Sequence, residues 1–277
     1  DDPEVIAGQG TIGMEILRQH TGHIDAIFVP VGGGGIIAGI AAYVKYLRPE
    51  IKVIGVESDD SACLALAMKE GYRAVLDQVG LFADGVAVAQ IGEYTWDICK
   101  DHVDEVITVS VDEMCAAIKD IYDDTRSISE PAGALGVAGL KAYVEREKCT
   151  GKTLVAINSG ANVNFDRLRH IAERSELGEK REMLVAAEIP ESPGSFKNFC
   201  KALGNRNITE FNYRYADSSK AIVFAGVQVN PNNGGRAELM TELNKELSKV
   251  VDLTDNEMAK IHIRYMVGGH KPTNVNH

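Results

Sequence analysis

Four consecutive glycines, Gly32, Gly33, Gly34 and Gly35, follow the apolar run Val29-Pro30-Val31 and lead into Ile36. Without Cβ atoms this backbone can turn its N–H groups inward, and a helix starting at Ile36 adds its positive N-terminal end. Together these make a cradle for a phosphate. An ordinary turn needs one or two glycines, and each further one costs about 0.5–1 kcal/mol in backbone entropy. The stretch Gly33-Gly34-Gly35-Ile36-Ile37-Ala38 also fits G-x-G-x-x-A, and Glu57 ends a strand about 20 residues on, where a dinucleotide fold places its ribose-binding acid. On spacing alone, a nicotinamide or flavin dinucleotide and any other phosphorylated cofactor are equal candidates. Two further segments have the make-up of loops at strand carboxyl ends, Glu130-Pro131-Ala132-Gly133-Ala134 and Asn158-Ser159-Gly160-Ala161-Asn162. The proline pushes Glu130 out of the helical region and starts a helix beyond it. The plain structural alternative makes Ser159 a helix cap and Asn162 a turn residue.

The elements that must hold these loops follow from the apolar pattern. Short β-branched blocks at 26–31, 52–57, 105–109 and 153–158 alternate with helical patterns at 36–47, 62–69, 94–99, 111–122 and 134–143. That order predicts βαβ units and a parallel α/β sheet whose strands are buried on both faces. A charged amphipathic stretch at 166–182 turns Leu168 and Ile171 inward and stops at Gly178, which sets a domain boundary there. Beyond it, strands at 183–189, 208–215, 221–229 and 261–267 and helices at 195–203 and 236–247 give the order β-α-β-β-α-β, a ferredoxin-like unit. Phe196, Phe199, Cys200 and Leu203 have helical spacing, and Phe211, Tyr213 and Tyr215 alternate onto one strand face. The expected division is a domain over 1–178, a second over 181–267 and a tail over 268–277.

The 277 residues carry 29 basic and 40 acidic side chains, a net charge of −11, which argues against a nucleic-acid partner. Hydrophobic residues at 45% and charged ones at 25% describe a globular chain. No window is apolar for long enough to span a bilayer. Cys63, Cys99, Cys115, Cys149 and Cys200 form no C-x-x-C pair, so reduced thiols and no metal site are expected.

Taken together, PVGGGG at 30–35, FADGVAV at 82–88, EPAGA at 130–134 and SGANVNFDRLRHIAERSELGE at 159–179 resemble the threonine dehydratase (threonine ammonia-lyase) family, and PESPGSF and EFNYRYAD resemble its ACT-like regulatory region. The resemblance implies a pyridoxal 5'-phosphate domain of the tryptophan-synthase-β type (fold type II) followed by an ACT-like module. It implies that Gly32, Gly33, Gly34, Gly35 and Ile36 bind the cofactor phosphate. Gly85 would lie on the cofactor face, Glu130 near the ring substituents, and Ser159 would bond the pyridine nitrogen. The implied reaction converts L-threonine, or L-serine, to a 2-oxo acid and ammonia in isoleucine biosynthesis. Isoleucine would inhibit and valine oppose it, with Tyr213 and Tyr215 as candidate effector contacts. A homotetramer in the cytoplasm, or in the plastid stroma of a plant, is implied as well. The family's Schiff-base lysine belongs to an N-terminal motif that none of Lys45, Lys52, Lys69, Lys100 and Lys119 matches. The expectation is therefore a C-terminal part of the enzyme, inactive alone and without a catalytic residue of its own. The cation-site acid of the related serine racemases would align near Cys63, so no metal is expected. A dinucleotide-dependent oxidoreductase and a non-catalytic amino-acid sensor stand as alternatives.

Overall fold

Strand β1 (Ala26–Pro30) has no exposed residue, and its side chains alternate between two cores, Ile27 and Val29 toward one and Ala26 and Phe28 toward the other. A parallel strand covered by helices on both faces requires this. The computed structural model describes residues 1–215, 219–232 and 234–260, and the chain divides into two units between Gly178 and Glu179.

In the first unit β1 lies between β2 (Lys52–Ser58) and β4 (Leu154–Ala156), with β3 (Glu105–Val109) outside β2 and all four strands parallel. The Ile27 face is covered by α1 (Pro3–Gln19), α2 (Gly35–Leu47), α3 (Cys63–Glu70) and α4 (Glu93–His102). The Phe28 face is covered by α5 (Val111–Thr125), α6 (Pro131–Glu147) and α7 (Arg167–Gly178). Burial on both faces holds for β1 and β2 but not for the outer strands. Thr108 of β3 is exposed and β4 is half-buried along its three residues, because these are the sheet's edges. Helix α1 is absent from the sequence expectation. Its fully buried residues are Ile6, Gly10 and Gly13, and Ile12, Ile16 and Leu17 pack part-buried against the core, so two glycines interrupt the apolar face. Asp2 caps it by accepting from Glu4 N (2.8 Å) and Val5 N (3.2 Å).

The chain leaves β1 toward β2, while β4 returns on β1's other side. This reversal opens a crevice at the carboxyl ends of β1 and β4, the usual ligand position in open α/β sheets.

The second unit is an antiparallel sheet of β5 (Glu182–Pro190), β6 (Ile208–Tyr215), β7 (Lys220–Gln228) and β8 (Lys249–Asp252), in the order β6-β7-β5-β8. With α8 (Ser195–Ala202) and α9 (Gly235–Glu246) it has ferredoxin-like connectivity. Phe199 and Leu203 are buried as the spacing requires, whereas Phe196 is exposed and rests on the rings of Phe199 and Phe211. The fourth strand is β8, which the sequence reading misses. The strand expected at 261–267 and the tail at 268–277 lie outside the described residues. Among the described residues no helix is long and apolar enough to cross a membrane.

Candidate functional site

The four glycines serve two different purposes. Gly34 has φ of 90°, and a Cβ there would lie 2.5 Å from Ile91 Cδ1 and 2.9 Å from Thr95 Oγ1. A Cβ on Gly32 would lie 3.1 Å from Val86 Cα. Packing and backbone conformation leave no alternative at Gly34, and at Gly32 Val86 would have to give by a few tenths of an ångström to admit a Cβ. Around Gly33 and Gly35 an added Cβ would meet nothing within 4 Å, so packing does not explain them. Thr95 Oγ1 (2.8 Å) and Gly92 N (3.3 Å) both donate to the Gly33 carbonyl and fix it toward α4. In a trans peptide the Gly34 N–H then points the opposite way. The N-cap of α2 is Gly34, with no side chain to satisfy the first-turn N–H groups. Donors, helix dipole and free space thus coincide at Gly33 to Ile36, which fits a phosphate.

The other sequence-predicted residues gather round this loop from distant elements. Val86, packed on Gly32, closes a short 3-10 turn, Asp84–Val86, so Gly85 stands exposed beside the cradle. A Cβ on Gly85 would lie 3.0 Å from Ala132 Cβ and 4.0 Å from Glu130 Oε2. Glu130 is the N-cap of α6, but its carboxylate caps nothing and lies over Gly160, where any side chain would collide with it. Glu130 N donates to Gly160 O (3.1 Å), and the buried Ser129 hydroxyl donates to Asn158 Oδ1 (2.7 Å). These bonds lace the 129–130 and 158–160 loops together. Ser159 is exposed in the latter loop, at the carboxyl end of β4. It caps no helix, since α7 starts only at Arg167, which removes its plain structural role. Ser129 and Thr95 carry no signal in the sequence, because their partners lie 29 and 62 positions away.

Glu57 is fully buried and is engaged elsewhere than a ribose acid would be. Its carboxylate accepts from Leu64 N and Ala65 N, both 2.8 Å, at the start of α3. Burial pushes its pKa up to about 7 against the lowering effect of those two bonds. Beside it the Cys63 thiol is pushed up to about 12 by burial and by the Glu57 charge, so it stays protonated and donates to Gly32 O (3.5 Å). The dinucleotide reading is corrected on this point: the acid at 57 supports the glycine loop from behind. Among the described residues no group of three or more His, Cys, Asp or Glu could hold a metal ion. Lys45 bonds Ile51 O (2.8 Å) and Asp104 Oδ1 (2.9 Å) just before β2 and β3, at the sheet's amino end, and Lys52 opens β2 there. Lys69 is exposed late in α3, Lys100 pairs with Asp97, and Lys119 pairs with Asp123.

In the second unit Tyr213 is half-exposed on β6, and its hydroxyl donates to Glu191 Oε2 (2.6 Å), which raises its pKa. The Tyr215 backbone belongs to β6, while its side chain lies outside the described residues.

Comparison with known proteins adds independent findings. A family model described as pyridoxal-phosphate dependent enzyme matches residues 1–160, and one described as the C-terminal regulatory domain of threonine dehydratase matches 173–263. The biosynthetic L-threonine dehydratase of Burkholderia multivorans is 58% identical over 272 residues, which is 98% of this chain and 54% of that protein. The Escherichia coli enzyme of that name is 52% identical over 97% of this chain and 52% of its own length. A solved structure, the processed form of threonine deaminase isoform 2 from Solanum lycopersicum, aligns at a TM-score of 0.62 with 49% identity. It covers 63% of this chain and 51% of that one. The chain therefore spans about half the length of the curated relatives it matches. None of these matches supports the oxidoreductase or the sensor alternative.

Proposed function

This chain belongs to the pyridoxal-phosphate-dependent enzyme family, and from that premise we propose that it carries the phosphate-binding and regulatory parts of a biosynthetic threonine dehydratase. The reaction is the conversion of L-threonine, with L-serine as a second substrate, to a 2-oxo acid and ammonia in a cytoplasmic homotetramer. Isoleucine inhibits and valine opposes it at the second unit, where Tyr213 and Tyr215 are the proposed contacts. The N–H groups at Gly33 to Ile36 hold the phosphate. Gly85 leaves room for the ring face, and Glu130 stands beside the ring substituents. The Ser159 hydroxyl bonds the pyridine nitrogen without holding a proton there as a carboxylate would. Bound in this way, pyridoxal 5'-phosphate supplies the electron sink for loss of the Cα proton and the β-hydroxyl. None of Lys45, Lys52, Lys69, Lys100 and Lys119 is assigned as the Schiff-base residue, and the roles assigned within this chain are binding ones.

The observation that carries this proposal is the division of the four glycines. Gly34 is dictated by the protein's packing and Gly32 is tightly packed, while Gly33 and Gly35 are explained by a ligand. Gly33→Ala should therefore leave stability within about 0.5 kcal/mol and weaken pyridoxal 5'-phosphate binding at least about tenfold. Gly34→Ala should instead destabilise the first unit by about 1–3 kcal/mol. Absorbance titration and urea unfolding of the two variants test this, and wild-type affinity in Gly33→Ala would overturn it. Borohydride reduction followed by intact-mass measurement should leave the 30.0 kDa chain without an adduct. An adduct mapped to any single lysine of the chain would refute the assignment.

A further inference from the structure

The segment that presents Gly85 is anchored by the buried side chains of Ala83 and Val86, but it makes few hydrogen bonds. Its backbone bonds are local, Val86 N to Ala83 O (3.0 Å) and Ala87 N to Asp84 O (3.3 Å), and Asp84 and Gly85 are exposed. Among the described residues, one hydrogen bond reaches residues 82–86 from a distant element: Arg167 Nη1 on α7 donates to Phe82 O at 3.1 Å. The same guanidinium stands 4.0 Å from Asp84 Oδ1. One turn further along α7, the His170 ring lies against Phe82 with centroids 5.9 Å apart. The far end of α7 is clamped to α5. Arg174 Nε bonds Asp112 Oδ1 (2.5 Å) in a buried pair, and Gly178 packs directly on the Asp112 carbonyl. Held there, α7 can carry Arg167 to a fixed point over the segment.

We propose that Arg167 is a positioning residue, which through Phe82 O holds the 82–86 segment so that Val86 rests on Gly32 and Gly85 faces the cofactor. This rests on the proposed cofactor role of the glycine loop. The mechanical part, α7 holding the segment, stands on geometry alone. A guanidinium suits the task because Nη1, which bonds the carbonyl, also faces Asp84, so one fixed positive group serves both acceptors. The Asp84 pair is exposed and adds little, so the carbonyl bond is the effective part.

The test compares Arg167→Ala, Arg167→Lys and Arg169→Ala in the holoenzyme and its cofactor-free form. Arg169 is on the same helix, exposed and paired with Glu173, and it controls for loss of a helix charge. Arg167→Ala should raise the exchange rate of the 84–88 amides about tenfold in the cofactor-free form and weaken pyridoxal 5'-phosphate binding by a similar factor. Arg167→Lys should recover part of both, and Arg169→Ala should change neither. Unchanged exchange at 84–88 in Arg167→Ala would overturn the proposal, as would an increase spread equally over α5 and α7. If the wild-type holoenzyme shows no cofactor absorbance, the proposed function fails, while the exchange measurement still decides whether Arg167 holds the segment.

Discussion

Glu57 has no exposed surface, yet its carboxyl titrates near neutrality, at about 7 against an ordinary 4.5. Two backbone N–H donors at the start of α3 favour the charged form, and desolvation outweighs them. Because the folded pKa is raised, the folded chain holds a proton between about 4.5 and 7 that the unfolded chain has released. Stability therefore falls as pH rises through that window, and the full cost is present above it. The gap corresponds to about 3 kcal/mol at most. In urea unfolding between pH 4.5 and 8, Glu57→Gln should flatten the decline by that order, and an unchanged slope in the variant would show that Glu57 is not its source. The residue also marks a limit of the sequence. Its distance from the glycine run suggests a ribose ligand, and nothing in one dimension reveals that Leu64 and Ala65 turn the carboxylate back on the protein. The split within the glycine run is hidden in the same way, since it depends on Val86, Ile91 and Thr95, remote in the chain and near in space.

Helix α6 is laid onto the sheet by a row of glycines at every third position. Gly133 meets the Gly160 backbone, Gly136 lies where a Cβ would be 3.1 Å from Ile157 N, and Gly139 abuts the Val56 side chain. The close approach brings Glu130, at the N-cap, over the 158–160 loop, so this packing serves the candidate site directly. Gly139→Ala should force Val56 aside and cost about 1–3 kcal/mol. Gly8, exposed within α1 with nothing within 4 Å of an added Cβ, should respond to the same change by gaining about 0.5–1 kcal/mol. Urea midpoints of the two variants should move in opposite directions, and a loss at both positions would refute the packing argument. Glycine faces also explain what the sequence concealed at this scale. Apolar periodicity reveals α5 and β1 because large side chains mark their buried positions, as Met114, Ile118 and Ile121 do. It fails at α1, where Gly10 and Gly13 interrupt the inward face between Ile6 and Leu17, and at β8, where Lys249 and Asp252 flank only two valines.

At the scale of the whole chain, each unit has apolar cores of its own. Phe28, Met114 and Leu135 belong to one of the first unit's cores, while Phe199, Val223 and Leu239 belong to the second unit's. These cores belong to the two compact units into which the chain divides between Gly178 and Glu179, so each unit can lose its fold as a cooperative body. The proposed phosphate cradle lies wholly in the first unit, between Gly32 and Ile36, and the proposed effector contact at Tyr213 lies in the second. A ligand stabilises only what unfolds when its site is lost, by about 2.7 kcal/mol at a hundredfold excess over Kd. That is a rise of roughly 5–10 °C in Tm for the first unit and roughly 10–20 °C for the smaller second one. Calorimetry should therefore show two transitions, with pyridoxal 5'-phosphate raising one and isoleucine the other. Hydrogen exchange at β1 and β7 would assign each transition to its unit. A single transition raised by either ligand would mean that the two units unfold as one, and the independence argued from their separate cores would be wrong.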